Sequence, residues 1–226
     1  MTTFTWLGHG AWAIETGKHR LLLDPFLNDS PTSPVKAKDV QADFILLSHG
    51  HGDHVGDTVA IAQRTGATVI GLYEVCDWVA RQGVKNTIGM NIGGGLQQPF
   101  GHVKLTIAHH SSTMPDGSPG GAPAGFLLKL DGANIYFACD TALFMEMQLI
   151  GAVGLDLAVL PIGDHFTMGP ADSIEAIQML KPLRVAPAHY NTWPPIAQDA
   201  QAWAEQVRLQ TSAEPLVLQP GESFNL

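Results

Sequence analysis

The chain has 226 residues, 45% of them hydrophobic and 15% charged, with a formal net charge of -9 at pH 7. That composition supports a sizeable core and excludes a disordered chain. Only 12 Lys and Arg stand against 21 Asp and Glu, too few for a broad basic face, so a long nucleic acid is excluded as the expected partner.

The N-terminal segment 1–10 has no basic stretch leading into an apolar one, and no later segment reaches the roughly 18 uninterrupted apolar residues of a membrane span. A cytoplasmic protein with no membrane partner is expected. Apolar runs at 20–24 and 43–48 read as strands, 55–64 as a helix, 67–72 as a strand and 74–81 as a helix. Gly93-Gly94-Gly95 lacks the spacing and following helix of a dinucleotide-binding loop. The pattern resumes with a strand at 103–109 and a glycine- and proline-rich loop at 111–125, too closely followed by strand pattern to be a linker. Strands at 125–130 and 134–139 flank Asp131-Gly132, a dipeptide that signals a hairpin and therefore an antiparallel pair. A helix at 142–150, a strand at 155–161, a helix at 171–180, a strand at 184–187, a helix at 199–210 and a strand at 215–218 complete a mixed α/β pattern. Cys76 and Cys139, the two cysteines, form no disulfide framework and suit a reducing compartment.

The chemistry concentrates in His49-Gly50-His51-Gly52-Asp53-His54, directly after the strand at 43–48. Three imidazoles and a carboxylate interleaved with glycines suit a backbone folded tightly around a metal ion. In an extended segment His49 and His51, two apart, point to the same side and can serve one ion, while Asp53 and His54 face a second position. The bland alternative makes Asp53 a helix N-cap and the histidines surface decoration. His110, Asp140 and His189 each lie at the end of a strand pattern, where α/β folds converge their chemistry. His109 neighbours His110, and strand alternation lets only one of them reach a common site; His110 is preferred because Ser111-Ser112 follows it.

The series HxHxDH, His110, Asp140-Thr141 and His189-Tyr190 resembles the metallo-β-lactamase superfamily over nearly the whole chain. Within it the closest likeness is to small metal-dependent hydrolases related to ascorbate-6-phosphate lactonase, through Trp6-Leu7-Gly8-His9-Gly10, Asp24-Pro25, Pro161-Ile162-Gly163, Phe166-Thr167-Met168 and Ala188-His189-Tyr190. The resemblance implies a four-layer αββα sandwich, two mixed β-sheets flanked by helices, in a single metallo-hydrolase domain spanning 1–226. It places His49, His51 and His110 on one divalent ion and Asp53, His54 and His189 on another, with Asp140 bridging. A carboxylate has two oxygens to share, whereas a neutral imidazole serves one ion. Zinc is the first choice, with manganese, iron or nickel also acceptable to these ligands. The family commonly has Gly before the bridging Asp; here it is Cys139, either buried packing or a soft additional ligand.

His9 and His165 sit in segments that resemble active-site edges and are candidate catalytic groups beside Asp53. Ser111, Ser112 and Tyr190 are candidate substrate contacts. Asp24 and Asp164 are candidates to orient a ligand histidine through its other ring nitrogen, with turn formation as the plain alternative. Trp193-Pro194-Pro195 is read as a pocket wall. The expected reaction is hydrolysis by hydroxide held between two cations, which lower the pKa of bound water from about 15.7 to near 7. Asp53 would pass a proton to the leaving group of a small ester or lactone. Cleavage of a small phosphodiester and a non-catalytic metal-dependent binding module stand as alternatives; redox chemistry at a di-iron centre is disfavoured by His51 in the first motif. A small molecule is the expected partner, and a homo-oligomer is compatible with the sequence.

Overall fold

The computed structural model describes residues 1–226. Two seven-stranded sheets face each other. The first holds β1 (Thr2–Trp6), β2 (Trp12–Thr16), β3 (His19–Leu23), β4 (Phe44–Leu47), β5 (Thr68–Leu72) and β6 (Thr87–Met90) in chain order. The second holds β7 (Gly95–Gln98), β8 (Gly101–Ile107), β9 (Ala124–Leu130), β10 (Ala133–Phe137), β11 (Leu157–Pro161), β12 (Arg184–Ala188) and β13 (Glu214–Pro215). A last strand, β14 (Ser223–Asn225), returns to the first sheet and pairs antiparallel with β1.

Helices cover both outer faces. After β4 come α1 (Gly52–Val55), α2 (Thr58–Thr65) and α3 (Tyr73–Arg81); α2 packs on β5, and α3 on β5 and β6. On the second sheet α4 (Met147–Gly151), α5 (Pro170–Leu180) and α6 (Ala200–Gln210) form one layer, α5 against β11 and α6 against β13. The inner faces meet through Phe4 and Trp12 of the first sheet, whose rings lie 6.4 and 6.0 Å from Phe137 of the second. This is the expected four-layer αββα sandwich. β4 and β11, covered on both faces, are buried at every position and read as unbroken apolar runs.

Where the strands run parallel, their C-terminal ends point the same way, and this sets the site. β3, β4 and β5 are mutually parallel, as are β10, β11 and β12. The connections leaving these strands lie on one rim of the sandwich. The hairpin at Asp131-Gly132 joins antiparallel β9 and β10, and both residues have positive φ, 48° and 91°, as a two-residue turn matched to strand twist requires.

Three expected elements differ. The helix at 55–64 is two pieces, α1 and α2, because Gly56 turns at φ 40° where a Cβ would lie 2.6 Å from the Pro25 carbonyl oxygen. The helix at 142–150 shrinks to α4, which begins only at Met147, the Ala142 N–H being given to the His109 carbonyl instead. The strand at 215–218 pairs only at Glu214–Pro215.

Candidate metal centre

Asp24 follows β3, and its buried carboxylate organises the hexapeptide beside it. One oxygen, Oδ1, accepts the Ser48 backbone N–H at 2.8 Å; Oδ2 accepts the Ser48 hydroxyl at 2.5 Å and the His54 Nδ1–H at 2.8 Å. Ser48 Oγ also lies 2.9 Å from His49 Nδ1. Each ring is thereby held from one nitrogen, and the other is turned into the rim.

The second sheet supplies the opposite side. His110 follows β8, Asp140 follows β10 and His189 follows β12. Asp140 Oδ2 lies 3.3 Å from His54 Nε2, 3.6 Å from His110 Nε2 and 3.1 Å from His189 Nε2. Ligand atoms of His49, His51 and His110 all fall within 4.8 Å of one another, as do those of His9, Asp53, His54 and His189. The structure thus gathers the seven expected ligand side chains, with Asp140 facing both groups. Asp24 also falls near His49 and His54, but its oxygens are already occupied by Ser48 and His54. His109 leaves in the other direction, stacking on Phe144 at 5.1 Å.

The donor set fits a cation. His49 Nε2 and His51 Nδ1 face each other at 3.0 Å, and His54 Nε2 is buried with no hydrogen-bond partner although Asp140 lies beside it. Burying an imidazole nitrogen unpaired is costly unless an ion or proton donor fills the space before it. Burial opposes charge on His54, yet Asp140 and Asp24 outweigh it and hold its pKa well above the usual histidine value. Burial likewise opposes ionisation of Asp140, but His189 and His54 keep its carboxyl well below the ordinary range. A negative field that retains a proton at this position also favours a metal ion there, with release of that proton. Burial and the neighbouring His54 push His49 well down, and burial lowers His110, leaving both rings neutral as ligation requires.

His9 occupies the turn between β1 and β2 and is fully buried. Its Nδ1 lies 2.8 Å from Thr192 Oγ1 and its Nε2 3.1 Å from Asp53 Oδ2. Burial and the nearby His189 depress its pKa to about 4, so the ring is neutral and donates from Nε2 while Nδ1 accepts the Thr192 hydroxyl. Burial would raise the Asp53 carboxyl, but the His9 hydrogen bond and His54 bring it below the usual range. His9, Asp24, Cys139 and His189 all adopt left-handed φ, between 42° and 53°, a conformation that costs L-residues roughly 1–2 kcal/mol each. This concentration marks the rim as the strained part of the molecule. It also explains why Gly suits the position before Asp140: Cys139 holds φ 53° there, its thiol pushed up well above the usual range by burial, Asp24 and Asp140.

Other expected site residues divide. Ser111 Oγ reaches to 3.4 Å from His51 Nε2, whereas the Ser112 hydroxyl accepts the Gly50 N–H and ties two loops together. Tyr190 corrects the expectation of a substrate contact: it is 5% exposed and stacks on Trp6 at 5.2 Å. His165 is exposed on a loop and does not join the cluster. Asp164 orients no histidine side chain; its Oδ1 accepts the His165 backbone N–H. Trp193 packs edge-on to His9 at 5.0 Å. Sequence reasoning missed Ser48 and Thr192. Ser48 directly precedes the hexapeptide, a position suited to a hydroxyl bridge, whereas nothing near Thr192 signals its bond to a residue 183 positions away.

Paired sheets carrying a histidine and aspartate cluster across their strand ends define a class of metal-dependent hydrolases, and residues 19–190 match the model of the beta-lactamase superfamily domain. The chain belongs to that superfamily, as a metal-dependent hydrolase. It is similar to a metal-dependent hydrolase of Thermus thermophilus, 46% identical with 100% of both chains covered. A metal-dependent hydrolase of Pelotomaculum thermopropionicum is 48% identical, with 98% of this chain and 99% of that one covered. Among solved structures, a metallo hydrolase of the archaeon Ignicoccus hospitalis superposes with a TM-score of 0.90 at 35% identity, covering 100% of each chain.

Proposed function

We propose that the protein hydrolyses a small ester or lactone, with His49, His51 and His110 holding one divalent ion, Asp53, His54 and His189 a second, and Asp140 shared between them. The observation that carries this reading is the approach of Asp140 Oδ2 to within 3.6 Å of His54, His110 and His189, three side chains drawn from both sheets. Two such ions, zinc by preference, supply an acidified water and a Lewis-acid contact for the substrate oxygen.

The chain's own groups do the rest. His9 donates from Nε2 to Asp53 Oδ2 and fixes that carboxylate. Asp53 is the carboxylate of the cluster open to solvent, with 28% of its side chain exposed against 4% for Asp140. It is therefore placed to take a proton and pass it at Oδ1 to the leaving group. Ser111, exposed beside His51, is placed to touch substrate. We read residues 1–226 as one hydrolase domain and assign it to the cytoplasm, where Cys76 and Cys139 remain free thiols.

The test is elemental analysis paired with a panel of lactone, thioester and phosphodiester substrates, before and after chelation. Chelator-sensitive lactone turnover is expected, and full metal content without hydrolysis of any substrate would refute the reading. Asp140→Ala should lose at least one ion per chain; unchanged stoichiometry would remove the bridge.

A further inference from the structure

The rim that holds the metal cluster carries almost none of the protein's positive side-chain charge. Of the 12 Lys and Arg, ten lie on helices, at mid-strand or at the opposite end of the sandwich. Lys129 and Arg184 show the pattern: Lys129 stands at the far end of β9, and Arg184 opens β12 in an ion pair with Glu214. The remaining two, Lys36 and Lys38, lie on the connection from β3 to β4, and the structure engages or removes both. Lys36 Nζ donates to the Asn28 carbonyl at 3.0 Å. Lys38 lies between Ala37 and Val40, whose carbonyls accept from Arg64 at the end of α2 away from the rim.

Aromatic faces stand where those cations are missing. Trp193, half-buried, packs at 5.0 Å on His9 and at 6.0 Å on Phe26, forming a wall beside Asp53. Phe166 is 53% exposed on a loop anchored beside Asp140 and His189. The Met168 N–H donates to the carbonyl of Thr141, next to Asp140, and at Gly163 a Cβ would lie 2.2 Å from the His189 carbonyl oxygen. Asp164 stiffens the same loop by accepting the His165 N–H at 2.8 Å. An exposed phenyl ring on a backbone already fixed costs little loop ordering on meeting an apolar group. On the 111–125 loop the charged group is Asp116, engaged by Trp78 Nε1 at 2.7 Å and by Ser118.

We infer that the substrate is an ester or lactone whose non-reacting part is uncharged and apolar, meeting the exposed aromatic faces of the rim, Trp193 and Phe166, and that this protein discriminates against phosphorylated or carboxylated substrates. The inference rests on the hydrolytic reading above. It departs from the phosphorylated substrate implied by the name of the lactonase that the sequence resembles. A remote phosphate or carboxylate finds no guanidinium at the rim and one ammonium there, Lys36, already donating to the Asn28 carbonyl; it would exchange its water shell mainly for aromatic faces and carboxylates.

The experiment uses the zinc-loaded full chain and a matched pair of esters, 4-nitrophenyl hexanoate and 4-nitrophenyl hydrogen adipate, which differ by one terminal carboxylate. The hexanoate should exceed the adipate in kcat/KM by at least about tenfold, the scale of one missing charge-assisted contact. Phe166→Arg should narrow that ratio by raising turnover of the adipate. Calorimetric binding of hexananilide and adipic acid monoanilide, which resist hydrolysis, gives the same comparison without turnover. Equal or better performance by the adipate, or no binding of either anilide, overturns the inference. Tighter binding of hexananilide with neither ester cleaved sustains the preference for an uncharged apolar group while counting against the hydrolytic reading.

Discussion

Replacing Asp24 by Asn alters one atom of a fully buried carboxylate, yet it should change both stability and metal affinity. Asp24 is 1% exposed and accepts three hydrogen bonds, two from Ser48 and one from His54 Nδ1. If the amide keeps its oxygen on the Ser48 N–H, its NH₂ group meets the Ser48 hydroxyl and His54 Nδ1. The hydroxyl can rotate to accept, but His54 can accept only by moving its proton to Nε2, the atom 3.3 Å from Asp140. If the amide flips, the buried Ser48 N–H loses its acceptor instead. Hydrogen bonds to a charged group contribute roughly 1.5–3 kcal/mol each against about 1 for neutral ones, so exchanging them should cost about 2–3 kcal/mol. The proton on Nε2 removes a ligand lone pair, and loss of such an orienting partner typically lowers metal affinity about 10–100-fold. Urea unfolding measures the first effect and chelator competition the second. A variant that loses the stability but binds zinc within about threefold of the parent would show that Asp24 does not set the His54 proton.

Gly163→Ala places a methyl group 2.2 Å from the His189 carbonyl oxygen; backbone must shift, at a typical cost of about 1–3 kcal/mol, and thermal melts with metal analysis should show lower stability and incomplete loading together. Normal loading at normal stability would refute that contact. Cys76 gives a pH signature away from the site: burial raises its thiol from 9.0 to about 12, so stability is full below pH 9, where folded and unfolded chains both keep the proton, and falls as pH rises from there toward 12. Near pH 10.5 the parent should have lost about 2 kcal/mol more than Cys76→Ala relative to pH 8, and parallel pH profiles in urea unfolding would contradict the assignment.

How far the fold could be read from sequence depended on burial. β4 and β11 are continuous apolar runs and stand out, and Asp131-Gly132 marks its hairpin because few other dipeptides tolerate two positive φ values. β1 and β2 escaped notice because alternating burial mixes Thr and Glu into their runs: Thr3, Thr5 and Glu15 point outward between buried Phe4, Trp6 and Ile14. β6 and β7, half-exposed and glycine-containing, offered still less. At the rim, the residues proposed as ligands were legible as a constellation of His and Asp at strand ends. Of the residues that orient them, Asp24 was legible as a carboxylate closing a strand pattern, whereas Ser48 and Thr192 were not read. Tyr190 misled because it follows a candidate ligand in sequence while its side chain turns into the core beside Trp6.

Trp12 and Phe137 touch across the sheets, and Phe137 lies only three residues before Asp140. The core immediately behind the rim therefore acts as a spacer that sets how far apart the two halves of the proposed ligand cage stand. Trimming Trp12 should first register as a mis-spaced cage, with weakened metal retention in a molecule whose sheets are still assembled. In this architecture catalytic geometry is a finer gauge of core packing than global unfolding.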